Sequence, residues 1–259
     1  MRWSIRALVS LMAVTAAAAV SPAYAAANLV VNGDFETFTN PSSTPTSSYQ
    51  LTSPNTATGG TLAGWTNTGY TFLFNAGTAD TTGAYSSEYS NYLKLYGPGN
   101  GVSNGLTAAS PTGGNFVASD GAYEAGPISQ TISGLTVGYA YQLSFYYAAA
   151  QQSGFSGATT ESWGVTFGGQ TYNTQTLNNP NQGFTPWRQA VFTFVPTSTT
   201  QTLSFLAAGA PSGTPPFSLI DGVVLIAAPE PATWAIMIVG LVAASVVYRS
   251  RRRPASVPV

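Results

Sequence analysis

The sequence predicts an all-β protein, a β-sandwich of jelly-roll type flanked by an N-terminal signal peptide and a single C-terminal transmembrane helix. Three observations lead to this prediction. Apolar and polar residues alternate in the central segment, turn clusters of Gly, Asn and Pro separate short apolar runs, and no central segment keeps a helical period. About ten short strands bury their apolar faces most simply in two packed antiparallel sheets.

The composition removes several classes of function. Only 7% of the 259 residues are charged, against about a quarter in an average soluble domain. Cysteine and histidine are absent, which excludes disulfides, thiolate nucleophiles, cysteine–zinc sites and the Ser-His-Asp and Cys-His reaction classes. Six of the eight Lys and Arg residues lie in the two terminal segments, so no nucleic-acid partner is expected.

Residues 1–27 have the order of parts that is typical of a secretory signal peptide. Two arginines within the first six residues precede an uncharged, alanine-rich run, and Pro22 ends this run before a group of small residues. Cleavage after Ala25 and cleavage after Ala27 both satisfy the rule for small residues at the site. An uncleaved signal anchor is the alternative.

The C-terminal segment, residues 229–254, combines a rigid triplet, an apolar run and a basic cluster. The triplet Pro229-Glu230-Pro231 cannot continue a helix. The uncharged run 232–248 has 17 residues, or about 25 Å of helix, which is enough for a thin membrane span. The arginines that follow should stay cytoplasmic by the positive-inside rule. A plain single-span anchor would contain the same helix.

This order of parts resembles the PEP-CTERM sorting signal of Gram-negative bacteria. The resemblance implies recognition by an exosortase, a membrane-embedded transpeptidase that is thought to cut at the triplet. It also implies export to the cell surface or to an exopolysaccharide matrix. Residues 255–259 form a tail beyond the signal. The residues that carry the sorting signal are Pro229, Glu230, Pro231, Trp234, Arg251, Arg252 and Arg253.

Between the two ends, residues 28–228 are predicted to form one secreted domain. Two cationic and eight anionic side chains give this part a net charge of −6, which the chain total of −1 hides. In the longest predicted strand every second residue is apolar or aromatic and is expected to face the core. The predicted strands are Asn28–Asn32, Tyr70–Asn75, Asn91–Tyr96, Gly114–Ser119, Ile128–Ile132, Tyr139–Tyr147, Trp163–Phe167, Gln170–Thr176, Val191–Val195, Leu203–Leu206 and Phe217–Ile226.

Three short motifs of this domain resemble the first and last strands of galactose-binding-like jelly rolls. The motifs are 28–36, Gly64-Trp65 and 217–223. Many carbohydrate-binding modules belong to that superfamily. The resemblance therefore implies a sandwich in which the first and last strands run side by side.

The same resemblance implies a structural Ca²⁺ ion where those two strands meet. The carboxylate positions match Glu36 and Asp221, with Asp34 as a possible third ligand. The residues by themselves allow another interpretation, in which Asp34 ends a turn while Glu36 and Asp221 accept hydrogen bonds from the backbone near strand ends.

Glycan binding is a second possibility that the residue types allow, because flat aromatic rings stack on sugars while amides and carboxylates bind hydroxyls. Aromatic residues in predicted loops are the better candidates, chiefly Tyr85, Tyr89 and Tyr123. Trp163, Tyr141 and Phe145 lie in alternating strands and are expected in the core.

No catalytic residues are predicted. A pair of carboxylates could support glycoside hydrolysis, but the sequence does not show that any two of them face each other across a cleft. The leading interpretation is an exported, non-catalytic cell-surface or matrix protein associated with exopolysaccharide or biofilm. The alternatives are a carbohydrate-binding module that recognises a polysaccharide, and a glycan-degrading enzyme.

Overall fold

The computed structural model describes residues 27–39, 48–54, 59–81, 93–228, 238–245 and 248. The predicted signal peptide up to residue 26, the Pro229-Glu230-Pro231 triplet, Trp234, the arginines 251–253, Tyr85 and Tyr89 lie outside this part. The strands of the described part are β1 (Phe38–Thr39), β2 (Ser48–Gln50), β3 (Thr61–Leu62), β4 (Thr66–Asn67), β5 (Thr71–Phe74), β6 (Phe116–Asp120), β7 (Ile128–Ser133), β8 (Tyr141–Gln151), β9 (Thr159–Phe167), β10 (Gln170–Asn173), β11 (Leu177–Asn179), β12 (Arg188–Phe194), β13 (Thr200–Ala210) and β14 (Pro216–Ala227).

These strands form two six-stranded antiparallel sheets, which confirms the predicted all-β sandwich. The first sheet has the order β10-β9-β13-β7-β4, with β11 also paired to β9, and the second has the order β12-β8-β14-β6-β5-β2. A two-stranded ribbon, β1-β3, and a short 3-10 helix, Pro98–Asn100, complete the described elements of this unit, which spans Ala26–Ala228.

The main core lies between the two sheets. Alternating residues of β8 and β9 enter it from opposite sides, as the period of two predicts; Phe145 and Val165, for example, are fully buried. The indole of Trp163, on the first sheet, donates from Nε1 to the carbonyl of Leu219 on the second, 3.0 Å away. Each such large side chain contributes about 1.5–3 kcal/mol by leaving water.

A second apolar cluster covers the other face of the second sheet. Phe74 and Phe116 stack there with ring centroids 5.4 Å apart. Leu95 and Trp187, from segments that connect strands, pack onto the same cluster. Because both faces of this sheet are covered, strands such as β5 and β6 are buried along their whole length and do not alternate.

The N-terminal segment departs from the predicted strand Asn28–Asn32. It lies beside β14, where the Leu29 amide donates to the Leu225 carbonyl over 2.9 Å, but it forms no regular strand. Asn32 and Phe35 have positive φ angles of 52° and 55°, and such residues interrupt an extended ladder. The side-by-side arrangement implied by the resemblance is present, without the regular pairing.

Two further sequence predictions are corrected at strand ends. Tyr139 was expected to face the core, but it is 53% exposed because β8 begins only at Tyr141. In the predicted strand Asn91–Tyr96, the described part contributes one isolated bridge, between Leu95 and Gln152.

The C-terminal unit is described only in part. Residues 238–245 and residue 248 are helical. Within the described residues, no helix reaches the length and apolar character needed to cross a membrane. The predicted span 232–248 includes residues outside the described part.

Candidate functional site

Glu36 projects from a tight hook at the start of the domain. The Asn32 side chain closes this hook: its Nδ2 donates to the Thr37 carbonyl (2.9 Å) and its Oδ1 accepts from the Thr37 amide (2.8 Å). Phe35 anchors the hook in the core against Trp65, with ring centroids 5.4 Å apart. The hook therefore fixes the position from which Glu36 reaches the neighbouring loop.

Asp221 enters the same region from the last strand. The pairing of β14 with β8 shifts register between Asp221 and Val224, and Gly222 has a φ of +62°. Such a bulge re-aims side chains, and it leaves Asp221 completely buried. The hydroxyls of Ser110 and Thr112 donate to its Oδ2, while Oδ1 has no hydrogen-bond partner among the described residues.

One loop joins the two carboxylates. Asn115 donates to Glu36 twice, from its backbone amide to Oε1 (2.5 Å) and from Nδ2 to Oε2 (3.1 Å). Asn115 lies five residues after Ser110, so the same loop contacts both carboxylates. Burial raises the pKa of Asp221 to about 6, the Ser110 and Thr112 hydroxyls and the Gly222 amide oppose this rise, and the negative charge of Glu36 adds to it. Two carboxylates thus approach each other, and no cationic group is among the causes acting on Asp221. We name Glu36, Asp221, Ser110, Thr112 and Asn115 the junction site.

The junction site fits a calcium ion in its donor set. Calcium prefers carboxylate, hydroxyl and carbonyl oxygens, and the unpartnered Oδ1 of buried Asp221 is such an oxygen. Asp34, the third predicted ligand, is exposed. Within the described residues no three Asp, Glu, His or Cys side chains gather into a metal-binding group, so hydroxyl or carbonyl oxygens would have to complete the shell.

Among the described residues, the aromatic side chains predicted in the core are buried, and the one predicted in a loop is exposed. Trp163, Tyr141 and Phe145 are buried in the main core. Tyr123 is 51% exposed and contacts the ring of Tyr70 edge-on, with centroids 5.1 Å apart.

A further exposed aromatic residue, Tyr172, was not singled out from the sequence. It lies on β10, an edge strand of the first sheet, and its ring is parallel to that of Phe192 on β12, an edge strand of the second sheet. The centroids are 5.4 Å apart, and Phe194 supports Tyr172 edge-on at 5.0 Å. Tyr172 remains 41% exposed.

Polar contacts flank this ring pair on both sides. Before it, the Gln170 side chain bonds the backbone of Val195, accepting from its amide at 3.2 Å and donating to its carbonyl at 3.4 Å. After it, Arg188 donates from Nη1 to Gln175 Oε1 at 2.7 Å. β10 covers Gln170–Asn173, about 10 Å of extended chain, and Gln175 follows in the connection to β11. The edge strip, as we name it, consists of Gln170, Tyr172, Gln175, Arg188, Phe192 and Val195.

The edge strip can bind a sugar chain by ordinary chemistry. A tyrosine ring held in place by a second ring offers a flat apolar face at low entropic cost. Amides and a guanidinium on either side supply hydrogen bonds to hydroxyls. The sequence indicated one part of the edge strip, because the Gly168-Gly169 hairpin places β10 beside β9. The position of β12 next to β10 depends on the whole fold and could not be predicted.

Two other carboxylates come close together inside the domain. Asp120 lies near enough to Glu161 for its charge to contribute to the raised pKa of Glu161. Both side chains are buried, and a glycosidase pair must instead flank a bond of the substrate. A substrate chain therefore has no access to this pair.

Comparisons with known proteins found similar solved structures only. No protein-family model matches the chain, and no curated protein matches it. The carbohydrate-binding module TmCBM61, solved with β-1,4-galactotriose, is 13% identical over 78% of this chain and 99% of that chain, with a TM-score of 0.40. The C-terminal family 22 carbohydrate-binding module of Clostridium thermocellum Xyn10B is 13% identical over 65% of this chain and 88% of that chain, with a TM-score of 0.33.

Enzymes also occur among the similar structures. The arabinose-bound α-L-arabinofuranosidase MgGH51 is 17% identical over 77% of this chain but only 26% of that chain, with a TM-score of 0.39. At this level of identity and TM-score, the ligands and activities of these proteins are not carried over to this chain.

Proposed function

We propose that residues 28–228 form an exported, non-catalytic domain that binds a polysaccharide along the edge strip. Polysaccharide binding, an alternative in the sequence analysis, thereby replaces the role of a surface or matrix protein associated with exopolysaccharide or biofilm as the leading interpretation. The observation that carries it is the exposed Tyr172 ring backed by Phe192 between two pairs of polar contacts. The burial of Asp120 and Glu161 supports binding without cleavage.

Export and sorting complete the proposal. The N-terminal segment directs secretion, and the PEP-CTERM-like segment 229–254 engages an exosortase-type transpeptidase and the membrane. The domain then lies at the cell surface or in the extracellular matrix, where polysaccharide is the abundant ligand. The order of triplet, apolar run and arginines supports this part of the proposal.

The proposal also assigns a structural calcium ion to the junction site. Glu36 and Asp221 would hold it, with Asp34 as a possible further ligand. When bound, the ion supplies positive charge between two carboxylates that otherwise repel each other. It would fasten the N-terminal hook to the last strand, a role that disulfides cannot fill in a chain without cysteine.

A glycan microarray tests the binding proposal. We expect the full chain to bind at least one class of bacterial or plant polysaccharide, and Tyr172→Ala to lose that signal. Tyr139→Ala is the matched control, because Tyr139 is also exposed (53%, against 41% for Tyr172) but lies outside the edge strip. Equal signals for wild type and Tyr172→Ala would show that the edge strip is not the binding surface.

A further inference from the structure

A second cluster of buried oxygen atoms lies in the first sheet, away from the edge strip. Thr159, Glu161 and Asn179 share one face of the β9–β11 pair, where Asn179 lies directly opposite Thr159. The Thr159 hydroxyl donates to Glu161 Oε1, and Asn179 Nδ2 lies 3.4 Å from the same hydroxyl. The three side chains therefore form one contact group.

Two acceptor oxygens in this group have no partner among the described residues. They are Glu161 Oε2 and Asn179 Oδ1, and each residue is only 1% exposed. An unpaired buried carboxylate is costly unless a proton or a cation neutralises it. The groups that act on the Glu161 charge are Thr159, Asn179 and the anionic Asp120, and none of them is a cation.

The amide of Asn179 has a second orientation, which gives up the Nδ2 contacts with Thr159 and Glu161 and turns Oδ1 toward them. A Cβ built on Gly183 would lie 2.3 Å from Asn179 Oδ1 and 2.5 Å from the Pro180 carbonyl oxygen, which also accepts from the Gly183 amide at 2.8 Å. Half a rotation of the amide exchanges its donor and acceptor. The donor would then face the Pro180 carbonyl, and Oδ1 would join the oxygens of Thr159 and Glu161.

We propose that Thr159, Glu161 and Asn179 bind a divalent cation, with calcium as the best-fitting ion. The donors are a carboxylate, a hydroxyl and an amide oxygen, which suit a hard cation of flexible geometry. Imidazole and thiolate ligands are absent from a chain without His and Cys, which disfavours zinc and copper. This site is separate from the junction site and does not depend on sugar binding.

A groove gives the cation a way in. Thr159 and Asn179 line an open depression together with Pro180 and Pro211, and Glu161 lies beneath them. Thr159 and Asn179 are only 3% and 1% exposed, so an ion that enters from this depression reaches the site only when their side chains move aside.

Calorimetric titration of CaCl₂ into the chelator-treated full chain tests this site by counting ions. We expect Glu161→Gln to bind one ion fewer than wild type, whether or not the junction site also binds calcium. Glu124→Gln is the matched control because Glu124 is exposed, and it should bind as many ions as wild type. Equal ion counts for wild type and a folded Glu161→Gln would overturn the proposal and leave a proton as the neutralising species.

Thr159→Val keeps the proposal testable if Glu161→Gln fails to fold. This variant has nearly the same shape and loses only the hydroxyl ligand. We expect the calcium affinity of the Thr159–Glu161–Asn179 site to fall about tenfold. If the junction site also binds calcium, its affinity should stay the same. Unchanged affinity for every ion would exclude Thr159 as a ligand and overturn the site as proposed.

Discussion

The ring of Tyr172 lies parallel to the ring of Phe192, at an interplanar angle of 11°, although the two residues belong to different sheets. This contact closes one open side of the sandwich and leaves the tyrosine partly in solvent. Stacked rings are worth about 0.5–1.5 kcal/mol beyond their buried area. The geometry therefore stabilises the sheet edges and at the same time presents a rigid aromatic face.

A flat ring is essential to the proposed binding surface, and side-chain substitutions can separate flatness from general apolarity. We expect Tyr172→Phe to bind the array-selected polysaccharide within about threefold of wild type, while Tyr172→Leu loses about tenfold, or about 1.4 kcal/mol. Affinity gel electrophoresis measures both. If leucine binds as well as phenylalanine, stacking is not the source of affinity.

Calcium bound at the junction site should stabilise the domain. Chelation with EDTA is expected to lower the Tm of the full chain, because an ion at a hundredfold excess over its Kd contributes about 2.7 kcal/mol. In differential scanning calorimetry, Asp221→Asn should show a smaller EDTA shift than wild type, and Asp34→Asn shows whether the exposed Asp34 takes part. If EDTA leaves the Tm unchanged, the protein does not hold a stabilising calcium ion and the proposal is wrong.

Two adjacent glycines provide a matched test of the Glu36 position. A Cβ at Gly114 would lie 1.7 Å from Glu36 Oε1, whereas a Cβ at Gly113 meets nothing within 4 Å, and both residues have positive φ. Each alanine should cost about 1–2 kcal/mol of backbone strain. Only Gly114→Ala should displace the carboxylate and weaken calcium binding, by about tenfold or more in calorimetry. Similar calcium affinities for the two variants would mean that Glu36 is not a ligand.

The buried carboxyl of Asp120 predicts a pH dependence of stability. Burial raises its pKa from 3.8 to about 6, against the lowering effect of the Ala122 and Tyr123 amides. The folded state therefore holds this proton more tightly than the unfolded state. Its contribution is full below pH 4, is lost as the pH rises through about 6, and amounts to at most about 3 kcal/mol.

Asp120→Asn should remove this contribution and flatten the unfolding free energy between pH 4 and 6. Urea titrations in excess calcium measure it, because an ion at each proposed site keeps Asp221 and Glu161, whose pKa values are also raised, ionised over this range. Glu124→Gln serves as the control, since Glu124 is exposed. An identical pH profile for Asp120→Asn and wild type would contradict the assignment.

Sorting predicts two cuts in the mature chain. Mass spectrometry of protein recovered from the cell surface should show an N-terminus after Ala25 or Ala27 and a C-terminus near Pro231. Replacing the Pro229-Glu230-Pro231 triplet with Ala-Gln-Ala should leave the N-terminal cut and abolish the C-terminal one. Full-length protein retained inside cells would refute the export part.

Strands with their own alternation or long run of apolar residues could be predicted from the sequence. β9 alternates strictly, β8 alternates over its first six residues, and β14 is a long, mainly apolar run, so their existence followed from local chemistry. The short strands β1–β4 and β11 have two or three residues each and show no periodic signal. Their pairing depends on partners that are distant in the chain.

The candidate sites also combine residues that could be predicted locally with residues whose position depends on the whole fold. Glu36 and Asp221 were named from short motifs, but Ser110, Thr112 and Asn115 come from a loop whose sequence shows no metal-binding pattern. Tyr172 was missed because its exposure and support arise from two edge strands that meet only in the folded domain. Glu161 lies before the predicted strand Trp163–Phe167, yet the structure places it inside β9, where it is buried.

Binding without cleavage can be tested in one assay. The calcium-loaded full chain is incubated with the polysaccharide selected on the array, and both the retained protein and the newly formed reducing ends are measured. We predict that the protein is retained and that Tyr172→Ala is not, with reducing ends at the level of a protein-free control. New reducing ends, or equal retention of wild type and Tyr172→Ala, would contradict a non-catalytic domain that binds sugar through its edge strip.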